Sequence, residues 1–151
     1  MANSNESFPE QVEKTLQTYL YDKAPHLPPN WQEVLVKFLP YLTILFVVMS
    51  LPVLLAAFGL GAFLSPFMIL GGVGGFATYS LTLIVFAVSV VLEAVAIPGL
   101  FAKTSKAWYL LYYSTLINAL YNFLSFNLVG FVVGGALSLY LLFQIKKHYT
   151  H

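Results

Sequence analysis

Apolar positions run almost unbroken through the middle of this chain, and between Lys37 and Lys103 the one charged side chain is Glu93. Ahead of that stretch the pattern is amphipathic. Ser7 and Glu10 have capping-box spacing, Pro9 falls in the first turn, and Phe8, Val12, Leu16, Tyr19 and Leu20 recur at helical intervals. This predicts an amphipathic helix over 8–23, whose apolar stripe suits the membrane surface, a partner's face or the flank of the chain's own bundle. Pro25, Pro28 and Pro29 stop that helix and make 24–30 a proline-rich linker. Asn30 and Glu33 then have the spacing of a new N-cap and N3 pair.

Four apolar helices are expected beyond the linker, over 31–58, 80–100, 106–123 and 128–145, each close to or above the ~20 residues that a bilayer span needs. Pro40 and Pro52 fall in the first. Pro52 lies deep enough to kink it, with Ser50 near a carbonyl that the ring leaves free. Between the first two spans, 59–79 carries Gly59, Gly61, Pro66, Gly71, Gly72, Gly74 and Gly75. It reads as a glycine- and proline-broken apolar segment, re-entrant or lying in the interface, because irregular backbone at membrane depth has to be buried in protein or line a cavity.

The lysines set the number of passes. With four spans, Lys14, Lys23, Lys37, Lys103, Lys106, Lys146 and Lys147 all fall on one side. With five, the last four move opposite to the first three, against the positive-inside rule. The predicted architecture is all-α: one domain over 1–151, an integral membrane bundle of four transmembrane helices with both termini cytoplasmic, in a bacterial plasma membrane. Trp31 and Trp108, with Lys103, Lys106, Lys146 and Lys147, are its expected interface anchors.

Composition agrees with a lipid environment. Of 151 residues 59% are hydrophobic and 9% charged, more apolar surface than a water-soluble core absorbs. Net charge is +1 and arginine is absent, so the bidentate fork of nucleic-acid grips is missing and no nucleic-acid partner is expected. Without cysteine there is no disulfide, thiolate nucleophile or thiolate metal site. The opening MANSNESFPEQVEK lacks the positive n-region and apolar core of a signal peptide, so it is expected to be retained.

Candidate chemistry centres on Glu93. A carboxylate in hydrocarbon costs several kcal/mol unless it is protonated, paired or hydrated. On the helix after Trp108, Thr115, Asn118, Asn122 and Ser125 are spaced by three, four and three residues and form a polar stripe. Counting inward from Lys103 and Lys106 puts Glu93 between the levels of Thr115 and Asn118, with Ser89 on its face one turn away. The structural reading is a neutral carboxyl that fixes helix register, since interhelical polar pairs in membranes contribute about 0.6 to 2 kcal/mol. The functional reading is a cation or proton site facing water.

Gly130, Gly134 and Ser138 make a small-xxx-small ladder on the last helix, and Gly71 with Gly75 a second, for packing within the monomer or between copies. Tyr109, Tyr112, Tyr113 and Tyr121 crowd the polar-striped helix as belt or packing residues. His26, His148 and His151 fall outside the predicted spans, so no cofactor ligand is expected in the bilayer. Lys146-Lys147-His148 reads as a solvated tail touching anionic lipid rather than a metal site. No nucleophile and base pair, paired carboxylates, phosphate loop or metal spacing is present. No enzyme activity, cofactor or metal is therefore expected.

The runs Pro98-Gly99-Leu100-Phe101, Trp108-Tyr109-Leu110-Leu111 with Ser114-Thr115-Leu116, and Leu141-Leu142-Phe143-Gln144-Ile145-Lys146 resemble those of small bacterial membrane proteins of unassigned function. The resemblance covers mainly the second half, implies four helices and carries no activity or site. The expected function is a non-catalytic accessory, assembly or structural subunit, its partners the lipid bilayer and a homo-oligomer or larger membrane complex. The alternative is a small oligomeric transporter or channel with Glu93 as its cation or proton site.

Overall fold

A long apolar run leaves backbone donors and acceptors few partners besides one another, and the helix is the local way to pair them. The computed structural model describes residues 7–70 and 72–150, and among them all regular structure is helical. Helix α1, Phe8–Gln17, continues as a π-helical turn over Thr18–Asp22. Helix α2 is Pro29–Leu70, α3 is Val73–Phe101 and α4 is Ser105–Leu124. The last helix starts at 128, winds as a π-helix over Gly130–Leu137 and ends as α5, Ser138–Ile145. A 3-10 turn, Lys146–His148, follows. The segments Pro29–Phe67 and Gly74–Phe101 are long and apolar enough to cross a membrane.

The segment 59–79 differs from its expectation. Gly59, Gly61 and Pro66 lie inside α2, which runs to Leu70, and Gly74 and Gly75 inside α3, which starts at Val73. A mid-helix glycine costs about 1 kcal/mol, less than an unpaired backbone group in apolar surroundings, so helix wins. The Ser65 hydroxyl donates to the Ala62 carbonyl at 2.9 Å, the acceptor that the Pro66 ring leaves without its own donor. Ser50 does not do this for Pro52: its hydroxyl donates to Phe46 at 2.7 Å, whereas the carbonyl freed by Pro52 is that of Val48. At the linker, Pro29 rather than Asn30 opens α2, where a missing N–H costs nothing.

Three tight turns set the helix order. Gly72, at φ 111°, joins α2 to α3 in a conformation that a side chain disfavours. The other two end α3 and α4 with a residue at φ 55°, Lys103 and Phe126. There Thr104 N–H reaches the Gly99 carbonyl and Asn127 N–H that of Asn122, both at 2.9 Å, closing the last turn of each helix.

The core sits at the lysine-bearing end. Trp108, Tyr112, Phe143, Leu100 and Ile145 are buried there, with Leu16, Leu20 and Tyr21 of the N-terminal segment packed against them. Trp108 stacks on Tyr112, centroids 5.3 Å apart, and its indole N–H donates to the Leu142 carbonyl at 2.8 Å. Trp31 is exposed, but Trp108, expected at the headgroup level, is 1% exposed. It faces α5 and the N-terminal segment instead of lipid. Outward, α2 and α3 present Leu45, Met49, Leu55, Phe63, Ile84, Val91 and Val95. Tyr121 on α4 meets Thr82 on α3 at 2.5 Å. From that level α4 ends three residues on, at Leu124, while α3 reaches nine residues back to Val73, so the α2–α3 hairpin projects about 9 Å past the end of α4.

Small residues allow close approaches on the last helix, and one of them shifts the predicted ladder. A Cβ on Gly135 would lie 2.7 Å from the Ala119 Cβ, and one on Gly130 would lie 2.5 Å from the Asn122 side chain, whereas nothing lies within 4 Å of Gly134. The π wind spaces equivalent positions by five residues in place of four, so Gly135 takes the packed position expected for Gly134. Ser138 is half-buried at the start of α5. In the other ladder, Gly75 meets nothing within 4 Å and Gly71 lies outside the described residues. Gly61 instead gives the Tyr79 ring its seat on α2, where the Tyr79 hydroxyl donates to the Ala57 carbonyl.

Gly135→Val is expected to cost about 1 to 3 kcal/mol, because the Ala119 Cβ moves only with its backbone. Gly134→Val is expected to leave stability within about 0.5 kcal/mol. Thermal unfolding of the two variants in mild detergent checks the contrast, and equal losses would refute the π-shifted register.

Candidate functional site

Residues four apart share a helix face, so Ser89 and Glu93 face one way on α3, and Ser114 and Asn118 one way on α4. The short turn at 102–104 makes the two helices antiparallel neighbours. Their register sets Glu93 opposite Ser114 and Ser89 opposite Asn118. The Ser114 hydroxyl donates to Glu93 Oε1 at 3.0 Å, and Asn118 Nδ2 donates to Ser89 Oγ at 2.8 Å and to the Ser114 carbonyl at 3.0 Å. Ser89 passes its own proton to the Val85 carbonyl at 2.8 Å. Ser89 and Ser114 are almost fully buried, and Glu93 is half-buried.

The polar stripe read along α4 divides here. Thr115 turns away and donates to the Leu111 carbonyl at 2.8 Å. Asn122 belongs to a second cluster, donating to the Asn118 carbonyl at 2.8 Å and accepting from Asn127 Nδ2 at 3.0 Å beside Gly130. Ser114, which sequence reasoning passed over, is the actual partner of Glu93. Its spacing of four from Asn118 was the available signal.

Chemically the α3–α4 cluster is nearly closed. Every donor named has an acceptor, and the exception is Glu93 Oε2, a buried oxygen with no hydrogen-bond partner among the described residues. No ion pair reaches Glu93 among the described residues. Also among the described residues, no three of His, Asp and Glu gather as metal ligands.

A second polar assembly closes the lysine-bearing end. Lys146 forms an ion pair with Glu13 of α1 and lies 5.0 Å from the Trp108 ring centroid, while the Tyr109 hydroxyl donates to the same Glu13 carboxylate at 3.3 Å. The buried Gln144 side chain accepts from Leu27 N–H at 3.2 Å and donates to the Leu20 carbonyl at 3.3 Å, so it holds both ends of the N-terminal turn. Two cavities open here. One, about 360 Å³, is lined among others by Trp108, Lys146, Lys147 and Tyr149. The other, about 410 Å³, is lined by Glu33, Val36, Lys37, Lys103 and His148. Neither is lined by Glu93. Lys106 lies in the first turn of α4, at this end.

Burial lowers the pKa of His148 below the ordinary 6.5, helped by the positive charges of Lys147 and Lys103 and opposed by Glu33. Comparison of the chain with protein-family models, with characterised proteins and with solved structures finds no match. The functional reading therefore rests on the geometry above.

Two measurements test this site. Ser114→Ala is expected to cost about 1 kcal/mol of stability by leaving both Glu93 oxygens unmatched, read as a lower unfolding midpoint in detergent. Because the folded state favours neutral His148, its contribution is complete above pH 6.5 and is lost as pH falls through the lowered value. His148→Gln is expected to flatten the fall in thermal midpoint below pH 6.5, and an unchanged profile would show that another group governs it.

Proposed function

We propose that this chain is a non-catalytic, four-pass integral membrane protein, an accessory, assembly or structural subunit that packs in the bilayer against copies of itself or within a larger complex. The observation that carries the reading is the hydrogen bonding of Glu93, Ser89, Ser114 and Asn118 to one another between α3 and α4. Ser114 donates to Glu93 and Asn118 to Ser89, and the two cavities at the lysine-bearing end leave that cluster untouched. Such a cluster holds two helices in register; it does not conduct.

The membrane topology has its own support. Apolar side chains cover the outer faces of α2 and α3. Lys37 and Lys103 share one cavity wall with His148, which puts the lysines of α2, the α3–α4 turn and the C-terminal turn at one end, the arrangement of the positive-inside rule. At 20 residues, α4 is about 30 Å long, enough to cross hydrocarbon once. The segment 8–22 turns Leu16, Leu20 and Tyr21 to the bundle and exposes Phe8 and Tyr19, which suits a helix lying at the cytoplasmic surface.

One observation favours a second reading, a small oligomeric transporter or channel using Glu93: its Oε2 has no partner among the described residues. A lone acid without a second ionisable group makes a poor relay, so this reading ranks below the first.

Glu93→Gln separates the two. With a structural role, the variant assembles normally and reconstituted vesicles show the same background proton and potassium flux with either protein; a wild-type flux abolished by the substitution would overturn the assignment. The natural chain has no cysteine, so single cysteines at Ser125 and Lys147 are expected to react with membrane-impermeant reagents from opposite sides.

A further inference from the structure

The C-terminal turn, Lys146–His148, closes the lysine-bearing end of the bundle in a finely balanced way. Lys146 pairs with Glu13, and the Tyr149 N–H donates back to the Lys146 carbonyl at 3.0 Å. Tyr149, 3% exposed, belongs to the same core cluster as Val36, Trp108 and Ile145. Yet the Tyr149 hydroxyl and His148 Nε2 are both buried without a hydrogen-bond partner among the described residues. Burial of one aromatic ring favours the closed turn, and two unmatched polar atoms oppose it. Such a balance responds to a modest change in charge.

His148 is where that change falls. Charged groups meet it from each neighbouring element: Glu33 and Lys37 of α2 and Lys103 of the α3–α4 turn line one cavity with it, and Lys147 precedes it in the chain. Three lysines thus stand against one carboxylate. In an imidazolium both ring nitrogens carry protons. A charged His148 would therefore bury its Nε2–H without an acceptor and add a like charge to the three lysines. Burial and the charges of Lys147 and Lys103 hold the imidazole pKa below 6.5, with Glu33 opposing. In a turn displaced into water the imidazole takes its proton near the ordinary value. Falling pH accordingly favours the displaced state.

We propose that the C-terminal turn is an acid-released latch: a proton on His148 swings residues 147–150 off the end of the bundle and exposes Tyr149, while the ion pair of Lys146 with Glu13 keeps the chain hinged there. The device needs no bilayer and stands apart from the membrane reading above.

The test reads the exposure of Tyr149 in the full chain in mild detergent, by hydroxyl-radical footprinting with the exposed Tyr19 as internal reference. Between pH 7.5 and pH 5.5 oxidation of Tyr149 is expected to rise about three- to tenfold, the ceiling being set by the one pH unit between 6.5 and 5.5. Trp108 is expected to stay protected. His148→Gln is expected to abolish the rise. Glu33→Gln, which removes the opposing charge, is expected to enlarge it, and Lys103→Gln to diminish it. Glu33 and Lys103 are exposed, so this pair keeps the test decisive if His148→Gln does not fold. A Tyr149 signal indifferent to pH, a rise that persists in His148→Gln, or the same rise in Glu33→Gln and Lys103→Gln would overturn the latch. Equal rises at Tyr149 and Trp108 would overturn it too, because they report loosening of the whole end rather than release of the turn.

Discussion

In apolar surroundings a peptide group has no partner but another peptide group or a nearby hydroxyl, and this requirement shapes most of the molecule. It carries α2 as one helix through Pro40, Pro52 and Pro66 and through Gly59 and Gly61. Where a ring removes a donor near the far end of α2, the Ser65 hydroxyl fills the gap at Ala62. Chain reversal is confined to short turns, and in two of them a non-glycine residue accepts φ 55° so that the last helical carbonyls find donors. Strain at Lys103 and Phe126 is the smaller cost, since a positive φ away from glycine costs of the order of 1 kcal/mol and an orphaned carbonyl in hydrocarbon costs more.

Register between α3 and α4 follows from the side chains that backbone pairing leaves over. Two polar contacts one turn apart, Glu93 with Ser114 and Ser89 with Asn118, match at one axial setting and mismatch when either helix slips by a turn. That setting brings the start of α4 under the C-terminal helix, where Trp108 reaches Leu142 and Lys146 reaches Glu13. The lysine-bearing end is accordingly the well-packed end. The far end, with Phe63, Phe67, Leu70 and Phe126 exposed, has apolar side chains but little to pack them against.

Much of this was legible in the sequence where a one-dimensional count suffices. Helical class follows from hydropathy, and equal distances to Lys103 and Lys106 put Glu93 between Thr115 and Asn118, close to but short of the level of its observed partner Ser114. Rotation about the helix axis does not follow from such a count. One residue turns the face by about 100°, which separates Thr115, expected with Asn118 as a candidate partner of Glu93, from the observed Ser114. Glycine content misled at 59–79 because glycine's helix penalty is a measure against water, which competes for the backbone. The π wind at Gly130–Leu137 has no signature in residue type, so the ladder was read with the wrong period. Trp108 and Tyr149 owe their burial to segments distant in the chain, and periodicity is silent about those.

The unequal lengths of the helices bear on the lipid as much as on the protein. The 20 residues of α4 make about 30 Å, the thickness of a typical hydrocarbon layer, while the 29 residues of α3 make about 43 Å. Under the four-pass proposal, lipid on the α3 side would have to stretch, or the hairpin to lean, and each ångström of mismatch costs a fraction of a kcal/mol. In the proposed four-pass arrangement, a molecule with one tall flank and one short flank would impose a thickness gradient on the bilayer around it. Neighbours that fit the tall flank gain by gathering there, and those that fit the short flank gain by staying opposite.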